Sequence, residues 1–147
     1  MVQPYASADE MNMPFTGAKL ALLIGRGIIT ILRDDRTDIP YPGHWDLPGG
    51  GREGAETPLN CALRETREEL GLDVPPDTVC WHRFYQTGDQ SNWFFVARLA
   101  LGAEQTIVFG DEGQCWRVME VAEFLRHPGV VPRFQERLQD FLEEGVS

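Results

Sequence analysis

The chain has 147 residues and a formal net charge of −10, and its length suits one small domain with a buried core. The acidic balance argues against a polyanion bound over a broad surface, because the sequence offers no basic stripe for a nucleic-acid backbone. The sequence has no long apolar run for a membrane span and no signal-peptide leader. Its three cysteines lack metal-site spacing and are expected to be free thiols. A cytoplasmic location is therefore expected.

The first third of the chain predicts an irregular arm, one β-hairpin and a loop. Residues 1–16 show no clear period and are expected to form the arm, ahead of a single domain at 17–147. Residues 19–24 and 28–33 have the composition of strands, and the glycines between them favour a tight turn, so a hairpin is predicted. Residues 34–44 contain prolines and a glycine and predict a loop.

The most strongly specified element is a helix predicted over Pro58–Leu70. Thr57 suits its N-cap, Pro58 suits the first helical position, and Gly71 suits the left-handed residue that ends a helix. One stripe of this helix has the spacing of a face buried against a core: Leu59, Leu63, Thr66 and Leu70.

A second face of the same helix carries three glutamates. Glu65, Glu68 and Glu69 stand at i, i+3 and i+4, so their carboxylates crowd together and repel one another. A divalent cation that prefers oxygen ligands would neutralise this cluster. The alternative is a solvated acidic helix face, which is common in proteins.

The rest of the chain predicts three strands and two helices. Strands are expected at 79–86, 93–101 and 114–119, the first two as a second hairpin. Helices are expected at 121–125 and 133–143. Strands before, between and after helices favour an α/β fold in which a mixed β-sheet lies between helices, an α/β/α sandwich.

The residues around the glutamates resemble the Nudix box, the signature G-x5-E-x7-R-E-U-x-E-E-x-G-U of the Nudix hydrolase family, where U is bulky and apolar. The residues that match the signature are Gly50, Glu56, Arg64, Glu65, Glu68, Glu69, Gly71 and Leu72. Thr66 departs from it, but its methyl can pack on the core face and its hydroxyl can bond a carbonyl one turn earlier. The box covers 23 of the 147 residues, and the preceding segment 45–50, WDLPGG, resembles the family's lead-in. The resemblance implies a Nudix-type sandwich.

The resemblance also implies a reaction, hydrolysis of a diphosphate linkage by water with Mg²⁺ or Mn²⁺ as cofactor. Glu65, Glu68 and Glu69 are the expected metal ligands, joined by the carbonyl of Gly49. The net charge does not oppose a small phosphorylated substrate, whose charge is met locally by metal ions and a few arginines. The expected substrate is a nucleotide such as a nucleoside triphosphate or a nucleotide sugar, with no nucleic-acid polymer and no membrane as partner.

Other residues are assigned to catalysis or to positioning. Arg64 is expected to orient a neighbouring glutamate, and Gly50, Glu56 and Gly71 to shape the box. The general base is expected either on the box helix, at Glu68, or in a later loop, at Glu112.

Substrate contacts are expected at the second strand and beyond it. Arg33, at the end of that strand, resembles a position where the family carries a substrate arginine, and its guanidinium suits phosphate oxygens. Trp45 is a candidate for stacking on the leaving group. The other aromatic candidates, which also suit a core, are Trp81, Phe84, Tyr85 and Trp93.

Two other function classes stay open. A non-catalytic Nudix-like binding module is one, although such modules usually lose box glutamates and this chain keeps them all. An isomerase of the isopentenyl diphosphate type is the other, although the chain is short for it and Cys61 has no evident partner acid in the sequence. A homodimer also stays open.

Overall fold

A mixed sheet of seven strands runs through the computed structural model, which describes residues 14–144 of the chain. The strands are β1 Gly17–Ile24, β2 Gly27–Leu32, β3 Trp45–Asp46, β4 Gly49–Gly51, β5 Val79–Thr87, β6 Gln90–Leu99 and β7 Cys115–Glu120. The helices in this part of the chain are α1 Pro58–Leu70, α2 Val121–Arg126 and α3 Pro132–Glu144, with short 3₁₀ turns at Pro76–Thr78 and Ala103–Thr106.

Both predicted hairpins form, and a parallel contact joins them. β1 pairs antiparallel with β2, and β5 pairs antiparallel with β6. β1 then lies parallel to β6 along its whole length, from Gly17 opposite Asn92 to Ile24 opposite Leu99. β7 adds to the far side of β2, and the short strands β3 and β4 pair with β2 and β1.

Helices cover both faces of this sheet. Side chains alternate along a strand, so Leu20 and Leu22 of β1 join the apolar cluster beneath α1. Ala21 and Leu23 of the same strand join the cluster beneath α2 and α3. The predicted α/β/α sandwich is therefore confirmed.

The ends of α1 lie where its sequence predicts. The Thr57 hydroxyl accepts a hydrogen bond from the N–H of Asn60 at 3.2 Å, which caps the first turn. Gly71 adopts φ 63°, a left-handed conformation that side chains disfavour. The Thr66 hydroxyl donates to the Ala62 carbonyl at 2.8 Å, so this residue remains buried without an unsatisfied polar atom.

Other predictions differ from the structure in detail. Most of the predicted arm, residues 1–13, lies outside the described residues, and the assignment of 17–147 to one domain stays a prediction. Phe15 is buried, and Thr16 exchanges hydrogen bonds with Ser91, so the end of the arm is fixed. β6 ends at Leu99, short of the predicted end at 101. Between residues 14 and 144, no helix is both long and apolar enough to cross a bilayer.

Candidate active site

The box loop and a later loop both close on the C-terminal half of α1. A Cβ at Gly50 would stand 2.4 Å from a carboxylate oxygen of Glu65, so a larger residue here would push this carboxylate out of its position. On the other side, the N–H groups of Val108 and Gly110 donate to the carbonyls of Leu70 and Glu69 at 2.8 and 2.9 Å. These bonds fix residues 107–113 against the end of α1.

Six acidic side chains line the cleft that results: Glu53, Glu65, Glu68, Glu69, Asp111 and Glu112. The predicted ligands Glu65, Glu68 and Glu69 are thus brought together with Glu112. Among residues 14–144, however, no three carboxylate, imidazole or thiol groups converge tightly enough to hold a metal ion as they stand. Like charges at this spacing repel, and nearby donors already hold several of these carboxylates: Arg64 pairs with Glu65 and Glu68, and the Gly49 N–H donates to Glu69.

Burial makes the charged form of two of these glutamates unfavourable. Burial raises the pKa of Glu69 to about 7, helped by Glu65 and Asp46 and opposed by Lys19 and by the Gly49 N–H. Burial also raises the pKa of Glu65, with Arg64 opposing it. A divalent cation prefers such oxygen donors and would supply the positive charge that they lack. The donor set therefore fits Mg²⁺ or Mn²⁺.

Arg64 is the internal counterion of the box. Its guanidinium grips Glu56 with Nε at 2.6 Å and Nη2 at 3.1 Å, and its Nη1 lies 3.1 Å from Glu68 and 3.5 Å from Glu65. It also donates to the Gly51 carbonyl at 3.0 Å. The hydrogen bonds from Arg64 lower the pKa of Glu56. Contacts of this kind would let Arg64 and Glu56 hold the box loop in place, and their positioning role stays a prediction.

A network of charged residues, which the sequence does not predict, lies beside the glutamates. Lys19 Nζ lies 3.1 Å from Asp46 Oδ1 and also donates to the carbonyls of Leu47 and Gly49, at 3.0 and 3.2 Å. Asp46 in turn accepts from Nη1 of Arg33 at 2.8 Å. The carbonyl expected to bind metal, that of Gly49, is therefore already bonded to an ammonium group.

Arg33 lies in the same region as the glutamates, and its contact with phosphate stays a prediction. It lines one cleft with Glu69 and Glu112, and with Asp46 between them. Its Nε donates to the Pro40 carbonyl at 2.9 Å, so the side chain is held from two sides. A guanidinium held in this way is ready to bind an oxyanion with its remaining donors.

Trp45 is not brought together with the glutamates. In strand β3 it neighbours Asp46, and neighbouring strand residues point to opposite faces of a sheet. Its ring packs against the apolar cluster beneath α2 and α3, with the Arg117 guanidinium 5.2 Å from its centroid. The other aromatic candidates pack in or against the two cores: Trp81, Phe84, Tyr85 and Trp93.

Cys61 has an acid beside it, contrary to the expectation from sequence, but its thiol is inert. Glu56 lies next to it, and this carboxylate is already bound by Arg64. Cys61 is fully buried, and burial with the charge of Glu56 raises its pKa to about 11. A reactive cysteine needs a lowered pKa and access, so the site does not favour the isomerase.

Comparisons with known proteins place the chain beside one family. The family model described as "NUDIX domain" matches residues 16–141. An RNA pyrophosphohydrolase of Cereibacter sphaeroides is 28% identical over 139 residues, which cover 80% of this chain and 83% of that protein.

Solved structures show the same fold at lower identity. The MutT protein from Methanosarcina mazei Go1 matches with a TM-score of 0.72 at 16% identity. The matched region covers 92% of this chain and 99% of the MutT chain. A bifunctional NMN adenylyltransferase/ADP ribose pyrophosphatase from Francisella tularensis, complexed with AMP and a Mn ion, has a TM-score of 0.71 at 15% identity. The matched region covers 90% of this chain and 42% of the Francisella tularensis chain.

Proposed function

Because the chain belongs to the Nudix hydrolase family, we propose that it hydrolyses a diphosphate linkage in a nucleoside diphosphate derivative, such as a nucleoside triphosphate or a nucleotide sugar, with Mg²⁺ or Mn²⁺. The observation that carries the proposal is the pair of adjoining clefts in which Glu69 and Glu112 meet both the acidic cluster and Arg33. A metal ion and a phosphate chain need these opposite charges side by side.

Glu65, Glu68 and Glu69 would hold the metal, with the Gly49 carbonyl shared between the ion and Lys19. When bound, such an ion neutralises phosphate charge and acidifies a water molecule. Arg33, held by Asp46 and Pro40, would fix a non-bridging phosphate oxygen.

Glu112 is the better candidate to take the proton from the attacking water. Both carboxylate oxygens of Glu68 already accept from Nη1 of Arg64, at 3.1 and 3.2 Å, so they are engaged within the box. Glu112 is exposed in the cleft and forms no ion pair with any residue from 14 to 144. Arg64 and Glu56 would keep the box loop in place rather than touch substrate.

RNA carrying a 5′ polyphosphate is a second candidate substrate. It is favoured by the similarity to an RNA pyrophosphohydrolase over 80% of the chain. The net charge of −10 favours the small nucleotide, because it opposes contact with a long polyanion. All three cysteines are free, in keeping with the cytoplasmic location that we propose.

A substrate panel tests the proposal. Nucleoside triphosphates, nucleotide sugars and a 5′-triphosphorylated oligoribonucleotide are incubated with the protein in Mg²⁺ or in EDTA, and products are identified by mass. We expect release of orthophosphate or pyrophosphate only with metal. Tight nucleotide binding without turnover would replace the proposal with the binding module, and a product of unchanged mass would replace it with an isomerase.

A further inference from the structure

The groove that starts at the glutamates continues beyond Arg33 to helix α3. Arg33 and Asp46 also line a second cleft, whose far wall includes Arg133. Arg133 in turn lines a third cleft with Tyr85 and Arg137. Each cleft shares a residue with the next, so a path with arginines along it leads away from the proposed reaction centre. This path is notable in a chain with a net charge of −10.

Arg137 is the unusual residue at the end of this path. It is only 4% exposed, yet it forms no hydrogen bond or ion pair with any residue in the described part of the chain, 14–144. Its guanidinium lies 4.4 Å from the centroid of the Tyr85 ring, which covers one face of it. The N–H groups of a buried guanidinium are normally paired with acceptors.

The nearest acidic groups do not meet this need. Asp140 accepts a hydrogen bond from the Tyr85 hydroxyl at 2.8 Å and lies 3.3 Å from Nη1 of Arg83. Glu136 lines the same cleft from an exposed position and forms no bond to Arg137. Arg133, one turn before Arg137 on α3, adds a second positive charge at the spacing where like charges repel.

We propose that Arg137 and Arg133 form a binding subsite for a phosphate group that lies away from the scissile diphosphate. A phosphate offers several acceptor oxygens and suits the guanidinium fork. The Thr87 hydroxyl and the Gln139 amide line the same cleft and are further donors. Glu136 opposes the bound anion, so free phosphate binds weakly, in the millimolar range. The subsite stands on its own, whereas its use by the substrate rests on the proposed function.

A titration of inorganic phosphate into the metal-free protein in EDTA tests the subsite. Binding is followed by the amide NMR signals of Thr87 and Arg133. We expect saturable shifts, weakened at least tenfold in Arg137→Gln and less in Arg137→Lys. Arg133→Gln, an exposed change that leaves the core intact, weakens binding about threefold. Arg126→Gln, an exposed arginine on α2, is the matched control. Absence of saturable shifts, or equal affinity in all variants, overturns the proposal.

A pair of substrates identifies the source of the phosphate. Nucleoside 5′-triphosphates with and without a 3′-phosphate are compared in turnover with Mg²⁺. If the subsite takes a phosphate of the substrate, the 3′-phosphate lowers KM at least fivefold, and Arg137→Gln removes this difference without changing kcat. Equal KM values together with saturable phosphate binding assign the subsite to a free phosphate ion. Failure of all turnover removes the proposed function, while the titration in EDTA still decides the subsite.

Discussion

Helices α1 and α3 each carry like charges one turn apart, but they manage them differently. In α1, Arg64 lies among the carboxylates and bonds two of them, Glu56 and Glu68. In α3, Arg137 is buried beside Arg133 and forms no ion pair with any described residue. Arg64 thus partly neutralises the acidic cluster, which we expect to bind a cation, whereas we expect the basic pair to bind an anion.

The sheet keeps these clusters in separate layers. α1 packs on one face and α3 on the other. They adjoin where strand β3 places Asp46 beside Lys19 and Arg33, because the clefts on both sides share Asp46 and Arg33. Catalysis should therefore depend strongly on α1, while changes on α3 should alter binding or stability and leave the chemistry intact.

The largest effect is expected from Glu69→Gln on α1. The amide still accepts the Gly49 N–H but cannot give a cation its charge, so turnover in saturating Mg²⁺ should fall at least about 100-fold. Steady-state rates are measured beside Glu143→Gln, an exposed change on α3 that should keep the wild-type rate. Near-normal activity of Glu69→Gln would remove this residue from the metal site.

A smaller but still large loss is expected from Glu112→Gln. Removing a general base typically lowers kcat about 100-fold, while the Mg²⁺ concentration for half-maximal rate should stay close to that of the wild type. Rates are measured across Mg²⁺ concentrations, with the exposed turn change Asp89→Asn as control. If both turnover and metal dependence were unchanged, Glu68 would take over the role of base.

Arg64→Lys probes the internal counterion. Lysine keeps the charge but cannot grip Glu56 and Glu68 together, so kcat should fall about 10-fold with little change in KM. Arg67→Lys is the matched control on the same helix, because Arg67 is exposed and, within residues 14–144, its ion pair is with exposed Asp73. If kcat fell equally in both variants, the loss would come from replacing any arginine of α1 by lysine, and not from the contacts of Arg64 with Glu56 and Glu68.

The smallest effect is expected on α3. Arg133→Gln removes one of two like charges at i, i+4, so the unfolding free energy should stay level or rise by about 0.3 kcal/mol. Urea unfolding in phosphate-free buffer measures this change, and kcat should be unaltered. A destabilisation above about 1 kcal/mol would mean that Arg133 is a structural residue rather than part of a binding subsite.

Local signals in the sequence predict much of the fold and of the acidic site. The cap at Thr57, the apolar stripe of α1 and Gly71 are short-range features, so both ends of this helix are predicted to the residue. The glutamates are found for the same reason, since their spacing on one helix suffices. The two hairpins follow from strands that are neighbours in the chain.

Features that depend on distant partners are missed. β3 and β4 have two and three residues, too few for a periodic pattern, and exist only because β2 and β1 pair with them. The placement of Lys19 beside Asp46 joins residues 27 apart in the chain. The burial of Arg137 on α3 is not predicted, because it arises from packing against Tyr85 on strand β5.

We propose above all that the carboxylates of α1 form the metal site. The most direct test of this proposal is the binding of Mn²⁺ to the protein without substrate, measured by electron paramagnetic resonance. The wild type should bind Mn²⁺ saturably, Glu65→Gln should weaken this binding at least about tenfold, and Arg137→Gln on α3 should leave it unchanged. Equal Mn²⁺ affinity of the wild type and Glu65→Gln, or no saturable binding to the wild type, would contradict the account.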